Sequence, residues 1–453
     1  MPNTRLTKQQ VTATDRKKFT FSFWFKRGMD AGETEFIYES VNDSSNRFYI
    51  NLLEPSDTLE IINKNSGSNV LLLRTTRAFR DVSAWYHLVL AVDTDQSTAA
   101  DRNKLYINGE RITSFSTETN FSSGVTGAIG TSSFYHTIGG YSGGGAYYAG
   151  SMSFFALVDG TQELPTIFGE TDSTTGQWKI KANITPSSGW GDNGFLILKN
   201  GNSLTDESTN SNNFALATGT LTKTEDCPDN VFATMNPLDN YYPNFNLAYG
   251  NTSVGAGNGP RTYLLATMGL APTGKYYWEI KLQGQSNGAS SNSVLFGISQ
   301  KSTDSTTEDL TDGVASSTVI DGSGRVYVEG SLAGTFGSSY EPSTVMCLAY
   351  DAVNNKMYFG KDGTWLNSGD PTSGSTGTGA FTPTATNGAY NNIYIPCWGV
   401  NYNSGYSVAF NFGNGSFNTS AVSSAGTNAS SNGIFEHDVP TGYTALSTKG
   451  LNL

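Results

Sequence analysis

The chain has 453 residues and a formal net charge of -12, with 51 glycines, 12% aromatic residues and only 15% charged residues. A charge of that sign, with no basic cluster beyond Arg16-Lys17-Lys18, argues against a nucleic-acid partner, and no apolar run reaches the length of a bilayer span. Three cysteines, Cys227, Cys347 and Cys397, are too few for a disulfide framework and lack metal-ligand spacing.

No stretch sustains apolar residues at helical spacing over a dozen positions, so the expected class is all-β. The Met1-Pro-Asn-Thr-Arg-Leu6 start has no apolar h-region, which predicts synthesis without a signal peptide and release by lysis. Residues 1–18 read as an N-terminal arm. Phe19-Thr-Phe-Ser-Phe-Trp-Phe25 alternates four Phe against Thr20, Ser22 and Trp24, the pattern of a half-buried strand. Strands are predicted next over 35–39, 47–52, 58–63 and 70–73.

A pair of segments then occurs that the second half repeats. Trp85–Asp93 is an apolar run ending in Asp, followed after a polar loop by Asn103-Lys-Leu-Tyr-Ile-Asn-Gly109. Val345–Asp351 is its counterpart, followed by Asn355-Lys-Met-Tyr-Phe-Gly-Lys-Asp-Gly363. Asn108-Gly109 and Asp362-Gly363 are reversal pairs, because Gly accepts positive φ without steric cost. Each copy reads as two central antiparallel strands, which predicts two tandem antiparallel β-sandwich (jelly-roll) domains over 19–228 and 229–453. Asp226-Cys-Pro-Asp, rich in proline to Pro237, is the boundary segment.

Phe21–Phe25, Trp85–Asp93, Leu105-Tyr-Ile-Asn-Gly109, Gly150–Asp159, Phe168-Gly-Glu-Thr-Asp172 and Trp178-Lys-Ile-Lys181 resemble, in that order, the laminin-G/concanavalin A-like jelly roll of tailed-bacteriophage (cyanophage-like) virion proteins. Lys275–Leu282, Val294–Ser299, the second segment pair, Val408–Gly413 and Val439–Leu446 resemble a SPRY domain. The resemblance implies a structural, non-enzymatic virion protein, such as a tail fibre or tail accessory adhesin. Its implied partners are other virion proteins, further copies of itself and a host cell-surface glycan or protein. A capsid-surface decoration protein, a polysaccharide-degrading tail spike and a cellular lectin or interaction module are the alternatives.

No catalytic set can be assembled. Glu170-Thr-Asp172 lacks the second Glu that a glycoside-hydrolysing strand would carry, Glu436-His-Asp438 stands apart, and His87, His136 and His437 lie in no known catalytic setting. His87, inside an apolar strand, reads as a structural imidazole. Asp93, Asp95, Asp101 and Asn103 flank one loop with oxygen ligands, but Thr98 and Lys104 stand where a calcium loop needs Gly and Glu, so no metal and no cofactor is expected, and a calcium ion near Asp93, Asp95 and Asp101 stays as the alternative that the laminin-G resemblance implies. The Gly-rich loop 139–150 carries Tyr141, Tyr147 and Tyr148, and a second loop carries Tyr402 and Tyr406. Tyrosine rings of this kind stack on sugar C–H faces, so these five are the candidate glycan- or partner-binding residues.

Overall fold

A computed structural model describes residues 3–28, 34–241, 245–256, 262–285, 294–300, 310–311, 316–337, 340–384, 393–400 and 406–452, and strand counts below refer to these. The chain divides into two compact units, Met1–Leu221 and Thr222–Leu453. The division falls a few residues before the Cys227-Pro228 segment chosen from the sequence.

The first unit is built on two antiparallel sheets. One has eight strands in the order Phe115–Thr119, Ser68–Ala78, Thr58–Asn65, Asn46–Leu53, Glu35–Asp43, Tyr135–Ile138, Arg5–Gln9 and Ala215–Thr218. The other has six, in the order Phe195–Ile197, Ser151–Asp159, Lys18–Lys26, Trp85–Asp93, Asn103–Ile107 and Glu110–Arg111. Phe19, Phe21, Phe23 and Phe25 all point into the core, where Phe21 stacks on Phe48 at 5.6 Å and Phe23 on Phe155 at 4.6 Å. Burial of each such ring contributes on the order of 2–3 kcal/mol before entropy is charged against it.

Two features differ from the sequence-based picture. The arm expected over 1–18 is not separate where it is described: Arg5–Gln9 is an inner strand, paired with Tyr135–Ile138 on one side and Ala215–Thr218 on the other. The second difference concerns Thr20, Ser22 and Trp24, which are as buried as the phenylalanines. The segment after Asp159 returns across the outer face of the six-stranded sheet. Thr20 Oγ1 donates to the Thr161 carbonyl and accepts from Glu163 N, and Phe168 and Trp190 pack on Val89, Ala156 and Val158.

The second unit has a seven-stranded sheet in the order Met235–Tyr241, Thr262–Ala266, Ile395–Val400, Val294–Ser299, Ser317–Asp321, Arg325–Val328 and Ser331–Thr335. Its other sheet runs Phe245–Ala248, Ser253–Ala256, Tyr406–Asn411, Lys275–Gln285, Val345–Asp351, Lys356–Lys361 and Thr364–Trp365, with Thr444–Ala445 added parallel to Lys275–Gln285. Tyr276, Trp278, Ile280 and Leu282 face the shared core. The repeated segments pair antiparallel in both units, Leu90 opposite Leu105 and Leu348 opposite Phe359. Asn108 and Gly109 (φ 51° and 80°) and Asp362 and Gly363 (47° and 80°) have positive φ at both central positions, the conformation of a type I′ hairpin. The second strand of each pair therefore lies beside a two-residue edge strand rather than at the sheet centre.

Candidate functional site

Strand register decides what the outer face of the eight-stranded sheet presents. Because alternate residues point to opposite faces, His136 and Ile138 enter the core while Tyr135 and Thr137 face outward. Cross-strand pairing places Ala215, Thr7, Thr137, Glu39 and Tyr49 in one row. A cavity of about 300 Å³ opens beside this row, lined by Arg5, Thr7, Val41, Asn42, Tyr135, Thr137, Ser142 and Ala217.

Its wall is the Gly-rich loop, and that loop is pinned. Arg5 Nη1 donates to the carbonyls of Tyr141 (2.8 Å) and Ser142, Ser142 N donates to Glu39 Oε2 (3.0 Å), and Phe36 N donates to the Ala146 carbonyl (2.9 Å). The Tyr141 ring lies on Phe36 at 5.4 Å, and Phe36 lies on Tyr49 at 5.4 Å. Arg47 covers Tyr49 and donates to Glu39 Oε1 at 3.4 Å. Tyr135 stands 46% exposed at the mouth.

The five tyrosines named from the sequence have different fates. Tyr141 and Tyr147 are half-buried in the wall. Tyr148 is 6% exposed, with its hydroxyl donating to the Lys26 carbonyl at 2.8 Å, so it closes the core and presents no ring face to a ligand. Tyr406 is 1% exposed and belongs to the core of the second unit. Tyr402 lies outside the described residues. Arg5, Thr7, Asn42, Tyr135 and Thr137, none of them singled out by sequence, form most of the cavity lining. The available signals were the weak alternation of Arg5-Leu-Thr-Lys-Gln9 and the strand pattern of Phe134–Gly139, which holds Tyr135 and Thr137.

The titratable groups are placed differently. His87 is buried with its Nδ1 accepting from Trp178 Nε1 (2.9 Å), Nε2 against Ser22 Oγ (2.8 Å) and its ring stacked on Trp24 at 4.7 Å. Burial holds its pKa down at about 3. A neutral imidazole that accepts at Nδ1 carries its proton on Nε2, so His87 donates to Ser22; a base activating that hydroxyl would have to accept from it. His136 is likewise buried and held at about 3, with the Tyr38 hydroxyl on Nδ1.

In the second unit Glu279 is fully buried. Its carboxylate accepts from Glu436 N (2.9 Å), His437 N (2.8 Å), Tyr277 Oη (3.0 Å) and Asn411 Nδ2 (3.1 Å). Burial raises its pKa to about 7 against the pull of those four donors. Cys347, beside it, and Cys397 are buried, and burial raises both thiols well above their usual range.

Oxygen atoms in the acidic loop are matched by the protein's own cations. Asp95 pairs with Lys17 (3.1 Å) and Lys18 (3.7 Å), Asp93 with Lys18 (3.7 Å), and Asp101 with Arg111 (3.1 Å) and Lys104 (3.8 Å). On the exposed hairpin, Lys179 reaches both Asp172 (3.0 Å) and Glu170 (3.7 Å). Among the described residues no group of three or more His, Cys, Asp or Glu is arranged to hold a metal ion, and no helix is long and apolar enough to cross a membrane.

Residues 3–167 match the concanavalin A-like lectin/glucanases superfamily. The matched span holds the cavity lining except Ala217 and ends before the covering hairpin. No curated protein matches the chain. Among solved structures, the SPRY domain of human HERC1 is 18% identical, with a TM-score of 0.30 over 39% of this chain and 96% of that one. A heptameric SAP-like pentraxin from Limulus polyphemus is 16% identical, with a TM-score of 0.27 over 36% and 73%. The TRIM65 PSpry domain is 13% identical, with a TM-score of 0.26 over 40% and 88%. The lectin/glucanase-like match over residues 3–167 agrees with the all-β sandwich of the first unit.

Proposed function

We propose that this chain is a non-catalytic contact protein of a bacteriophage virion, a tail fibre or tail accessory adhesin that meets a glycan on the host surface. The observation that carries the contact part is the open, hydroxyl-lined cavity beside Thr7 and Thr137. The buried imidazoles and the Glu279 carboxyl, by contrast, are engaged in holding the fold together. Small-ligand sites are concave and carry a few convergent polar groups with aromatic surface, and this cavity has that character. The virion setting rests on the phage-like order of the two domains, an associational warrant, since folds of this kind host many functions. Other virion proteins and further copies of the chain are the proposed partners; several weak sugar contacts on one particle would add by avidity.

The matched superfamily also contains glucanases, which favours one second reading, a polysaccharide-degrading spike. Incubation of the purified chain with host envelope polysaccharide separates the two. Retention of the polysaccharide without new reducing ends supports the contact reading, and release of reducing ends overturns it. Mass spectrometry of purified particles tests the virion setting, which fails if the chain is absent from them.

A further inference from the structure

We infer that the cavity beside Arg5 takes a carboxylated sugar, a uronic acid residue of an acidic glycan, with its carboxylate on the free edge of the Arg5 guanidinium. The inference rests on the glycan-contact reading above and specifies its ligand.

Three observations converge. Arg5 is the only charged residue in the lining, on a chain whose net charge is -12. Its neighbours in charge are already occupied: Glu39 accepts from Ser142 N and Arg47, and Asp43 accepts from Ser45 N, Asn46 and Asn42. The lining therefore offers a cation with no carboxylate of its own to neutralise it.

The second observation is orientation. Arg5 Nη1 is committed to the Tyr141 and Ser142 carbonyls, and the Nε and Nη2 groups have no hydrogen-bond partner among the described residues. Two parallel N–H groups on one side of a planar guanidinium match the two oxygens of a carboxylate. The pinned loop also fixes the side chain before any ligand arrives, so little ordering remains to be done on binding.

The third is Thr137. It is 2% exposed, it lines the cavity, and its hydroxyl has no hydrogen-bond partner among the described residues. The hydroxyl opens on the cavity, so a partner reaches it from there. A sugar hydroxyl entering the cavity supplies one, with Thr7 directly across the strand pair and the Tyr135 ring at the mouth as a surface for the sugar's C–H face.

Isothermal titration of the full chain with tetragalacturonate, neutral galactotetraose and a sulfated galactotetraose tests this. Tetragalacturonate is expected to bind best. Arg5→Gln should weaken it about 10- to 100-fold, the range of a charge-assisted bidentate contact, and weaken galactotetraose far less, since the neutral sugar loses only the loop anchor. Thr137→Val, nearly isosteric and leaving the loop anchors in place, should weaken tetragalacturonate about fivefold. Equal binding of neutral and carboxylated sugars, or preference for the sulfated one, overturns the carboxylate assignment and leaves glycan contact standing. Tetragalacturonate binding unchanged in both variants overturns the cavity as its site. Binding of none of the three overturns this inference, while retention of whole envelope polysaccharide tests the contact reading separately.

Discussion

The Trp178 indole donates to His87 Nδ1 at 2.9 Å, and that one bond fixes which nitrogen of the imidazole carries the proton. Trp178 comes from the hairpin Gly169–Thr171/Trp178–Ile180, which lies over the outer face of the six-stranded sheet. Trp178→Phe keeps the ring and removes the donor, leaving a buried acceptor unpaired. Loss of about 1–3 kcal/mol is expected in urea unfolding of the first unit's transition. A variant as stable as the parent would show that the indole N–H does not hold the imidazole.

The two buried histidines make the first unit sensitive to acid. Each has a folded pKa of about 3 against an ordinary value of 6.5. Between those values the unfolded chain binds protons that the folded chain refuses. Stability is therefore full above about pH 6.5 and falls as the pH drops toward 3. His87→Gln and His136→Gln should each flatten the slope of melting temperature against pH in that window. An unchanged slope in both would count against the buried neutral imidazoles as its source.

Glu279 acts in the opposite sense on the second unit. Its carboxyl is raised to about 7 from 4.5, so in that interval the folded state holds a proton that the unfolded state has lost. Stability from this group is greatest below about pH 4.5 and falls as the pH rises through 7. Glu279→Gln should remove that slope. It should also cost about 1–3 kcal/mol, because a single amide oxygen cannot accept from both Glu436 N, on one carboxylate oxygen, and His437 N, on the other. Calorimetry that resolves the two transitions would show the two units responding to pH with opposite signs between about 4.5 and 6.5.

The parts of this architecture that sequence revealed are those set by local pattern. Strict alternation over Phe19–Phe25 and the Asn108-Gly109 and Asp362-Gly363 reversals each depend on a few adjacent residues. The parts it concealed depend on distant pairing. Arg5–Gln9 has one core residue, Leu6, and becomes an inner strand only because Tyr135–Ile138 and Ala215–Thr218 arrive on its two sides. The cavity therefore could not be assembled from motifs, since its lining is drawn from residues 5 to 217. Tyr141, Tyr147 and Tyr148 look alike in a Gly-rich loop, and only the path of that loop sends Tyr148 inward to the Lys26 carbonyl.

That difference between tyrosines is itself measurable. Tyr148→Phe removes a buried hydrogen bond and should cost about 1 kcal/mol of stability with no change in glycan retention. Tyr135→Ala removes an exposed ring and should change stability by no more than about 0.5 kcal/mol while weakening retention of polysaccharide. The reverse result, binding lost with Tyr148→Phe and kept with Tyr135→Ala, would move the contact surface away from this cavity.

Gly109 joins a turn to a packing contact. Its φ of 80° is strained for a residue with a side chain, and a Cβ there would stand 2.7 Å from the Trp178 ring. Gly109→Ala must therefore bear the left-handed conformation, costing about 1–2 kcal/mol, and also displace the indole. Moving Trp178 loosens its bond to His87 Nδ1, so the effect should reach the histidine two residues beyond the start of Trp85–Asp93. Tryptophan fluorescence should report the altered indole environment, and the acid-side slope of the first unit's melting temperature should shallow as solvent reaches His87. Asn108→Asp leaves the turn geometry intact and serves as the control, since Asp also tolerates positive φ and can still accept from His87 N, a bond of 2.8 Å. A Gly109→Ala protein with parental fluorescence and parental acid slope would separate the turn from the hairpin above it.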